Sequence, residues 1–480
     1  MLELALAGAL TDWTVDLSRL APTADYVAQV VRERYPQLNP PMHSRWRHFV
    51  FEGRDLWDEI AARAPWHSVS HRALQADTVA GADANHMPAD RAQFIASTHT
   101  YGDRDRSAAR ARAELDLAIT SVLLDAGAGP TWRYRDEATG IVATRSEGLA
   151  LASLRWFANG GFSSDPRDPL RADAAALSQL SAAALNTAFQ VSADNPLVGA
   201  EHRAALLNRL GAAMQARPDL FASAPGSHVQ PEHALGAAGR TAPPAATPAA
   251  APTSMRPGHG EHTSVAATRA PSATDLRLGG LFDYFARIAA DHPLPAGKIL
   301  ETLLEAFGSI WQNRPTLDGV PLGDCWPHPA LQDTAARTGN VTDGYVALHK
   351  LSQWLSYSLI EPLQNAGLEV TGLNELTGLP EYRNGGLLID MGVIVPRDAT
   401  ALSKSHLVSE PFVIGWRALT VALLDRLAPQ VGERLGLAND GFLLARVLEG
   451  GTWAAGRRSA REKRGDGSPP FQIQSDGTVL

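Results

Sequence analysis

Residues 311–329, WQNRPTLDGVPLGDCWPHP, place Asp318, Asp324, Cys325, Trp326 and His328 on one Gly- and Pro-rich segment. Two carboxylates six positions apart on a loop could face a common cavity and share acid–base work. Asp318-Gly319 and Gly323-Asp324 suit chain reversals equally well, because both residue types favour turns. Cys325 and His328 have a CxxH spacing that could begin a metal site. A four-ligand site needs a second such pair, and none lies nearby.

The next chemistry-bearing stretch is 342–367, TDGYVALHKLSQWLSYSLIEPLQNAG. Thr342 or Asp343 is placed to cap a helix. On that helix His349, Gln353 and Ser356 share one face, and Lys350, Trp354, Tyr357 and Glu361 lie along the adjacent one. Polar groups among aromatics suit the wall of a ligand pocket; a partly buried helix with Lys350 laid along its surface gives the same pattern. Residues 374–398 then bring Glu381, Tyr382, Arg383 and Asn384 together before a double glycine and an apolar, strand-like run over 385–395. Four consecutive side chains cannot all point one way, but from a loop two of them can reach a pocket. Gly385-Gly386 either lets backbone approach a ligand or makes a bulge.

The first half carries less chemistry. HSRWRHF, 43–49, mixes bases with aromatics, and in an acidic chain that reads as packing or an internal ion pair. In 143–157 Ser146 can cap a helix, with Arg145 and Glu147 at its start. The positive helix end could hold an anion, although ordinary capping explains the pattern. The turn-rich loops 162–173 and 189–199 read as chain reversals, and Arg457, Arg458, Arg461, Lys463 and Arg464 as a solvated helix face. No phosphate-loop or dinucleotide fingerprint occurs, and neither HExxH nor GxSxG is present.

The elements that must position these groups are mostly helical. Helices are expected over 107–126, 174–188, 201–216, 297–311, 344–366 and 412–436 from their apolar periodicity and Gly or Pro ends. Strand signals are limited to 132–134 pairing with 141–144, to 385–395, and to 471–473. Without a strand–helix alternation along the chain a parallel α/β fold is excluded, and the expected class is mainly α with small β hairpins. Residues 236–273, rich in Ala, Pro, Thr and Gly, are expected to form a disordered linker or insertion. They separate an N-terminal helical part (1–235) from a C-terminal one (274–480) that together make one catalytic unit. Residues 68–106 read as a long loop with short helical pieces.

With 43 basic and 51 acidic side chains the net charge is −8, which gives nucleic acid or an anionic membrane no attractive field. The single cysteine forbids an internal disulfide, and no run approaches 18 apolar residues. The opening MLELALAGALTDW has Glu3 where a signal peptide carries Lys or Arg. A cytoplasmic protein without membrane or nucleic-acid partners is expected.

Taken together, HSRWRHF, DAGAGPTWRY, RSEGLALAS, GFSSDPRDPLRAD, FQVSADNPLVG, DGVPLGDCWPHP, HKLSQWLSYSLIEPL, ELTGLPEYRNGGLLID, SEPFVIGWRALTVALLD, GTWAAGR and SDGTVL resemble the DUF1688 family, in order from residue 43 to 480. The resemblance implies a place in oxygen-independent uracil degradation, at the release of urea from ribosylurea or its 5′-phosphate, and no cofactor. The stretch LTGLPEYR is also similar to the LTxxADYR segment of the queuosine salvage nucleosidases, which are helical and related in shape to DNA glycosylases. It sets Glu381, one methylene longer, where those enzymes have aspartate. Cleaving an N-ribosyl bond needs a carboxylate for the charge at C1 and a donor for the leaving urea. The residues that fit are Glu381 near the ribose, Asp318 or Asp324 at the urea or water, and His349 as proton source. Arg383 and Lys350 would hold a 5′-phosphate, Trp326 and Trp354 would wall the site, and His328, Gln353, Tyr382 and Asn384 complete the substrate contacts. Rival readings are a metal-assisted amide hydrolase of the same route and a ligand-binding or accessory protein without catalysis.

Overall fold

The apolar period that begins near residue 107 belongs to a helix already formed at Ala89 and running to Leu123. Its polar first turns carry no apolar stripe that sequence periodicity could register, and a nucleated helix extends at little further cost. The computed structural model describes residues 1–64, 66, 89–222, 271–332, 338–437 and 444–474, with backbone alone for 89–104. Of the stretch 68–106 expected as a long loop, 89–106 belongs to this helix, while 68–88, like 236–270 of the expected linker 236–273, lies outside the described residues.

The architecture is mainly α. Helix Ala89–Leu123 packs on Lys350–Asn365 and on Arg145–Ala158, helix Leu20–Arg34 packs on Pro411–Leu435, and Tyr382–Asp390 packs on Trp453–Arg464. Where one helix was expected over 174–188 there are two, Ala174–Ser178 and Ala182–Ala188, because Ser181 accepts the Ala184 N–H and caps the second. The β structure among the described residues is confined to two-stranded sheets. Arg133–Arg135 pairs antiparallel with Val142–Thr144, as the hairpin signal implies. Trp13–Val15 pairs antiparallel with Ile394–Pro396, and Ser405–Leu407 runs parallel to Gln472–Gln474, so both ends of the chain are fastened to its second half. One apolar core runs from Leu2 to Phe471 and includes the buried indoles Trp13, Trp57, Trp132 and Trp416.

Two expectations fail locally. Residues 385–395 are not a strand: Tyr382–Asp390 is helical, and extended backbone resumes only at Ile394–Pro396. The glycines serve helix packing instead of a bulge. A Cβ on Gly385 would run into the indole of Trp416, and one on Gly456, in the facing helix, into the carbonyl oxygen of Arg383. Likewise the helix expected over 344–366 begins at Lys350, with His349 at its N-cap in left-handed conformation (φ +44°). Asp343 closes an earlier turn by accepting the N–H groups of Thr338 and Gly339, and Tyr345–Ala347 pairs with Cys325–Pro327. Gly456→Ala is expected to cost roughly 1–3 kcal/mol by forcing these two backbones apart, a loss that thermal unfolding would register.

Candidate active site

Three helix starts converge on one cavity of about 620 Å³: Arg145 and Ser146 open one helix, Lys350 a second, and Glu381 with Tyr382 a third. Trp354, Trp416, Trp453 and Phe471 give it aromatic walls, and Asp125, His43 and His48 face it from the N-terminal half. Helix N-termini carry partial positive charge, so the arrangement favours anionic groups in the space between them.

Asp125 stands just beyond helix Ala89–Leu123, before the turn of Gly127 and Gly129. Its carboxylate accepts from the Ser146 hydroxyl at 3.0 Å and from the fully buried Arg45 guanidinium. Burial works against its ionisation, but Arg45, Lys350 and the Ser146 hydrogen bond outweigh that and hold its pKa below the usual carboxylate value. Arg45 is itself locked: Nε donates to Ser121 at 2.7 Å, and the guanidinium lies 5.5 Å from the Trp354 ring. The basic-aromatic heptapeptide 43–49 is thus a buried support for a cavity carboxylate.

Glu381 is the N-cap of helix Tyr382–Asp390 and its two oxygens accept from the Arg383 and Asn384 N–H groups, at 2.7 and 2.6 Å. A carboxylate so held has a fixed position and keeps lone pairs toward the cavity it lines. Lys350 lies between these two acids electrostatically. Burial lowers the pKa of its ammonium, while Glu381 and Asp125 pull the other way without cancelling the shift. The Lys350 Nζ sits 5.7 Å from the Trp354 ring.

His48 is buried and its pKa is pushed down to about 4, first by burial and then by Arg45. Its Nδ1 has no hydrogen-bond partner among the described residues. The neighbouring His43 is held by Glu449 at 2.7 Å, and Glu449 comes from a π-helical turn, Leu448–Thr452, that delivers Trp453 to the cavity wall. The depressed His48 pKa makes the unfolded chain bind the extra proton first, so stability from this residue falls as pH drops from about 6.5 towards 4. The loss is expected to be on the order of 3 kcal/mol at most, and His48→Gln should flatten that part of the stability–pH curve measured by urea unfolding.

The sequence-predicted residues divide. Glu381, Tyr382, Lys350 and Trp354 line the cavity. Asp324 does not: both its oxygens are taken by the Arg417 guanidinium at 2.7 Å each, and it also accepts from Trp326 Nε1 (2.8 Å) and from the Lys350 N–H (3.0 Å). These bonds overcome burial and hold the Asp324 carboxyl well below the usual carboxylate range, so it is a structural anion. Asp318 is exposed at the tip of the Thr316–Leu317/Val320–Pro321 hairpin, the turn alternative of its two readings. His349 lies against Gly323 outside the cavity lining, and Trp326 packs with Leu348 and Ile414. His328 is engaged by the Pro411 carbonyl and the Ala330 N–H. Gln353 accepts the Thr377 N–H, and Asn384 donates to the Leu379 carbonyl. Arg383 faces a separate, smaller hollow. Among the described residues no three His, Cys, Asp or Glu side chains are placed to share a metal ion.

Sequence reasoning missed Asp125, His43 and His48 as cavity residues. The available signal was an aspartate closing an apolar helix, ITSVLLD, directly before a Gly-rich turn.

Known proteins match this chain over most of its length. The family model described as "Protein of unknown function (DUF1688)" matches residues 1–79, 84–235 and 262–480. "Uracil catabolism protein 4" of Lachancea kluyveri is 34% identical over 76% of this chain and 76% of its own length. "Protein urg3" of Schizosaccharomyces pombe is 31% identical over all of this chain and 95% of its own length. The chain belongs to the DUF1688 family.

Proposed function

We propose that this cavity is the active site of an N-glycosidase of uracil catabolism that releases urea from a ribosylurea. The observation that carries this reading is the meeting of two carboxylates, Asp125 and Glu381, with the Lys350 ammonium inside an aromatic-walled space. The pathway is supported by the name of the relative from L. kluyveri, a uracil catabolism protein.

In the reaction a water oxygen bonds to ribose C1, the bond from C1 to the urea nitrogen breaks, and that nitrogen gains a proton. Ribose and urea leave. The transition state gathers positive charge at C1 and negative charge on the urea. Glu381, fixed by its two backbone donors, faces C1, stabilises the charge there and takes the proton of the attacking water. Lys350, whose proton is loosened by burial, hydrogen-bonds the departing urea and protonates it. Asp125, kept ionised by Arg45, holds the ammonium in place and accepts from a ribose hydroxyl. Trp354, Trp416 and Trp453 keep bulk water from the charged centre, where each electrostatic contact then counts for more.

Incubation of the purified protein with ribosylurea and with its 5′-phosphate, following free urea, tests the reading directly. Urea from either compound is the expected result. A folded protein that releases none from both is not this enzyme.

A further inference from the structure

Beside the cavity is a second, strongly polar hollow of about 290 Å³ whose lining includes four arginines: Arg145, Arg383, Arg457 and Arg461. Pro130, Arg145 and Asp466 line both spaces, so the two adjoin. Four guanidinium groups face one carboxylate there, Asp466, and one of its oxygens already accepts the Ser468 N–H at 2.9 Å. Ordinary surface arginines are neutralised by acids around them, and most of these are not. Arg457 has Glu147 at 2.5 Å, but Arg145, Arg383 and Arg461 have no ion-pair partner among the described residues.

Arg383 is the most telling of the four. It is only 4% exposed, its Nη1 donates to the Gly467 carbonyl at 3.0 Å, and its Nε is buried with no hydrogen-bond partner among the described residues. A buried guanidinium N–H without an acceptor is costly unless a ligand supplies one. The side chain is also stacked 4.6 Å from the Tyr382 ring, which fixes its plane. Arg145 stands at the first position of its helix in left-handed conformation (φ +54°), a strained setting that turns it towards the hollow it lines. Clustered, preorganised guanidinium groups with spare donors match the oxygens of a phosphomonoester better than those of a lone carboxylate, because several can bind in bidentate fashion.

We infer that the Arg145–Arg383–Arg457–Arg461 hollow binds the phosphate of a phosphorylated sugar whose ring occupies the adjoining cavity. This rests on the N-glycosidase reading only for the identity of the rest of the substrate, which is then the 5′-phosphate of ribosylurea. Lys350, in the other space, has no part in holding that phosphate.

The probes are ribose 5-phosphate, ribose and inorganic phosphate, titrated calorimetrically into the full chain. Ribose 5-phosphate is expected to bind far more tightly than ribose, with inorganic phosphate competing. Arg145→Gln/Arg461→Gln, which removes two exposed side chains with no ion-pair partner to strand among the described residues, should weaken ribose 5-phosphate by about tenfold or more. Lys463→Gln, which removes one positive charge from the helix that carries Arg461 but outside the hollow, should leave its affinity unaltered. No binding of ribose 5-phosphate to the wild-type chain, or equal loss in the Lys463 variant, overturns the inference. The two proposals fail separately: arginine-dependent binding of ribose 5-phosphate without urea release from either ribosylurea sinks the glycosidase and keeps the phosphate site. Urea release with no preference for the phosphorylated compound does the reverse.

Discussion

Glu381→Gln is expected to lower kcat for urea release by a factor of about 10² to 10⁴, with little change in thermal stability. The amide cannot take a proton from water and brings no negative charge to C1, so both functions proposed for Glu381 go at once. Its carbonyl oxygen can still accept from one of the Arg383 and Asn384 N–H groups that Glu381 now satisfies. Losing the second costs the helix cap about 1 kcal/mol, too little to account for such a drop in rate. Steady-state kinetics on whichever ribosylurea is turned over, alongside a melting curve, separate the two effects. Unchanged turnover would take Glu381 out of the chemistry and leave Asp125 and Asp466 as the other carboxylates lining the cavity.

The largest stability effect is expected from Asp324→Ala. Arg417 is 0% exposed and is held by Asp324 through two hydrogen bonds of 2.7 Å. Removing the acid leaves a buried guanidinium whose remaining acceptor among the described residues is the Pro380 carbonyl at 3.2 Å, a loss on the order of 3–5 kcal/mol. Asp324→Leu/Arg417→Met removes both charges and should recover much of that, as urea unfolding of the two variants would show. Because the folded-state pKa of Asp324 is depressed, its contribution is present above the unfolded value of about 4 and is lost as pH falls below it. Asp324 also accepts the Lys350 N–H, so its loss frays the helix start that presents Lys350. Equal stability of wild type and Asp324→Ala would show that the pair holds nothing together.

How far the sequence could be read depended on whether a residue's partner was local. Lys350 and Trp354 share a helix, their spacing put both on one face, and both line the cavity. Glu381 was legible as a candidate acid, and its capping bonds reach only two and three residues ahead. Asp318 and Asp324 looked alike as loop aspartates, and what separates them is Arg417, 93 residues beyond Asp324. Asp125 owes its ionised state to Arg45, 80 positions earlier, a partner no local pattern announces. The glycines at 385–386 were misread because a strand and a tightly packed helix can carry the same apolar run; only the indole of Trp416 and the backbone of the facing helix decide between them. The basic run at 457–464 shows the same limit. Arg458 and Arg464 pair with Glu33 and Asp390, whereas Arg457 and Arg461 turn to the hollow.

The two edges of the stretch 223–270 meet: Ala222 bridges to Leu276, and the Arg277 N–H donates to the Phe221 carbonyl. The chain therefore leaves and re-enters the body at one seam, and the family model leaves 236–261 unmatched within that stretch. A segment whose ends are fastened to each other sets no distance elsewhere in the molecule. That seam is a natural port for a genetically fused reporter or an affinity handle, which could be carried there while the aromatic-walled cavity on the same chain keeps its shape.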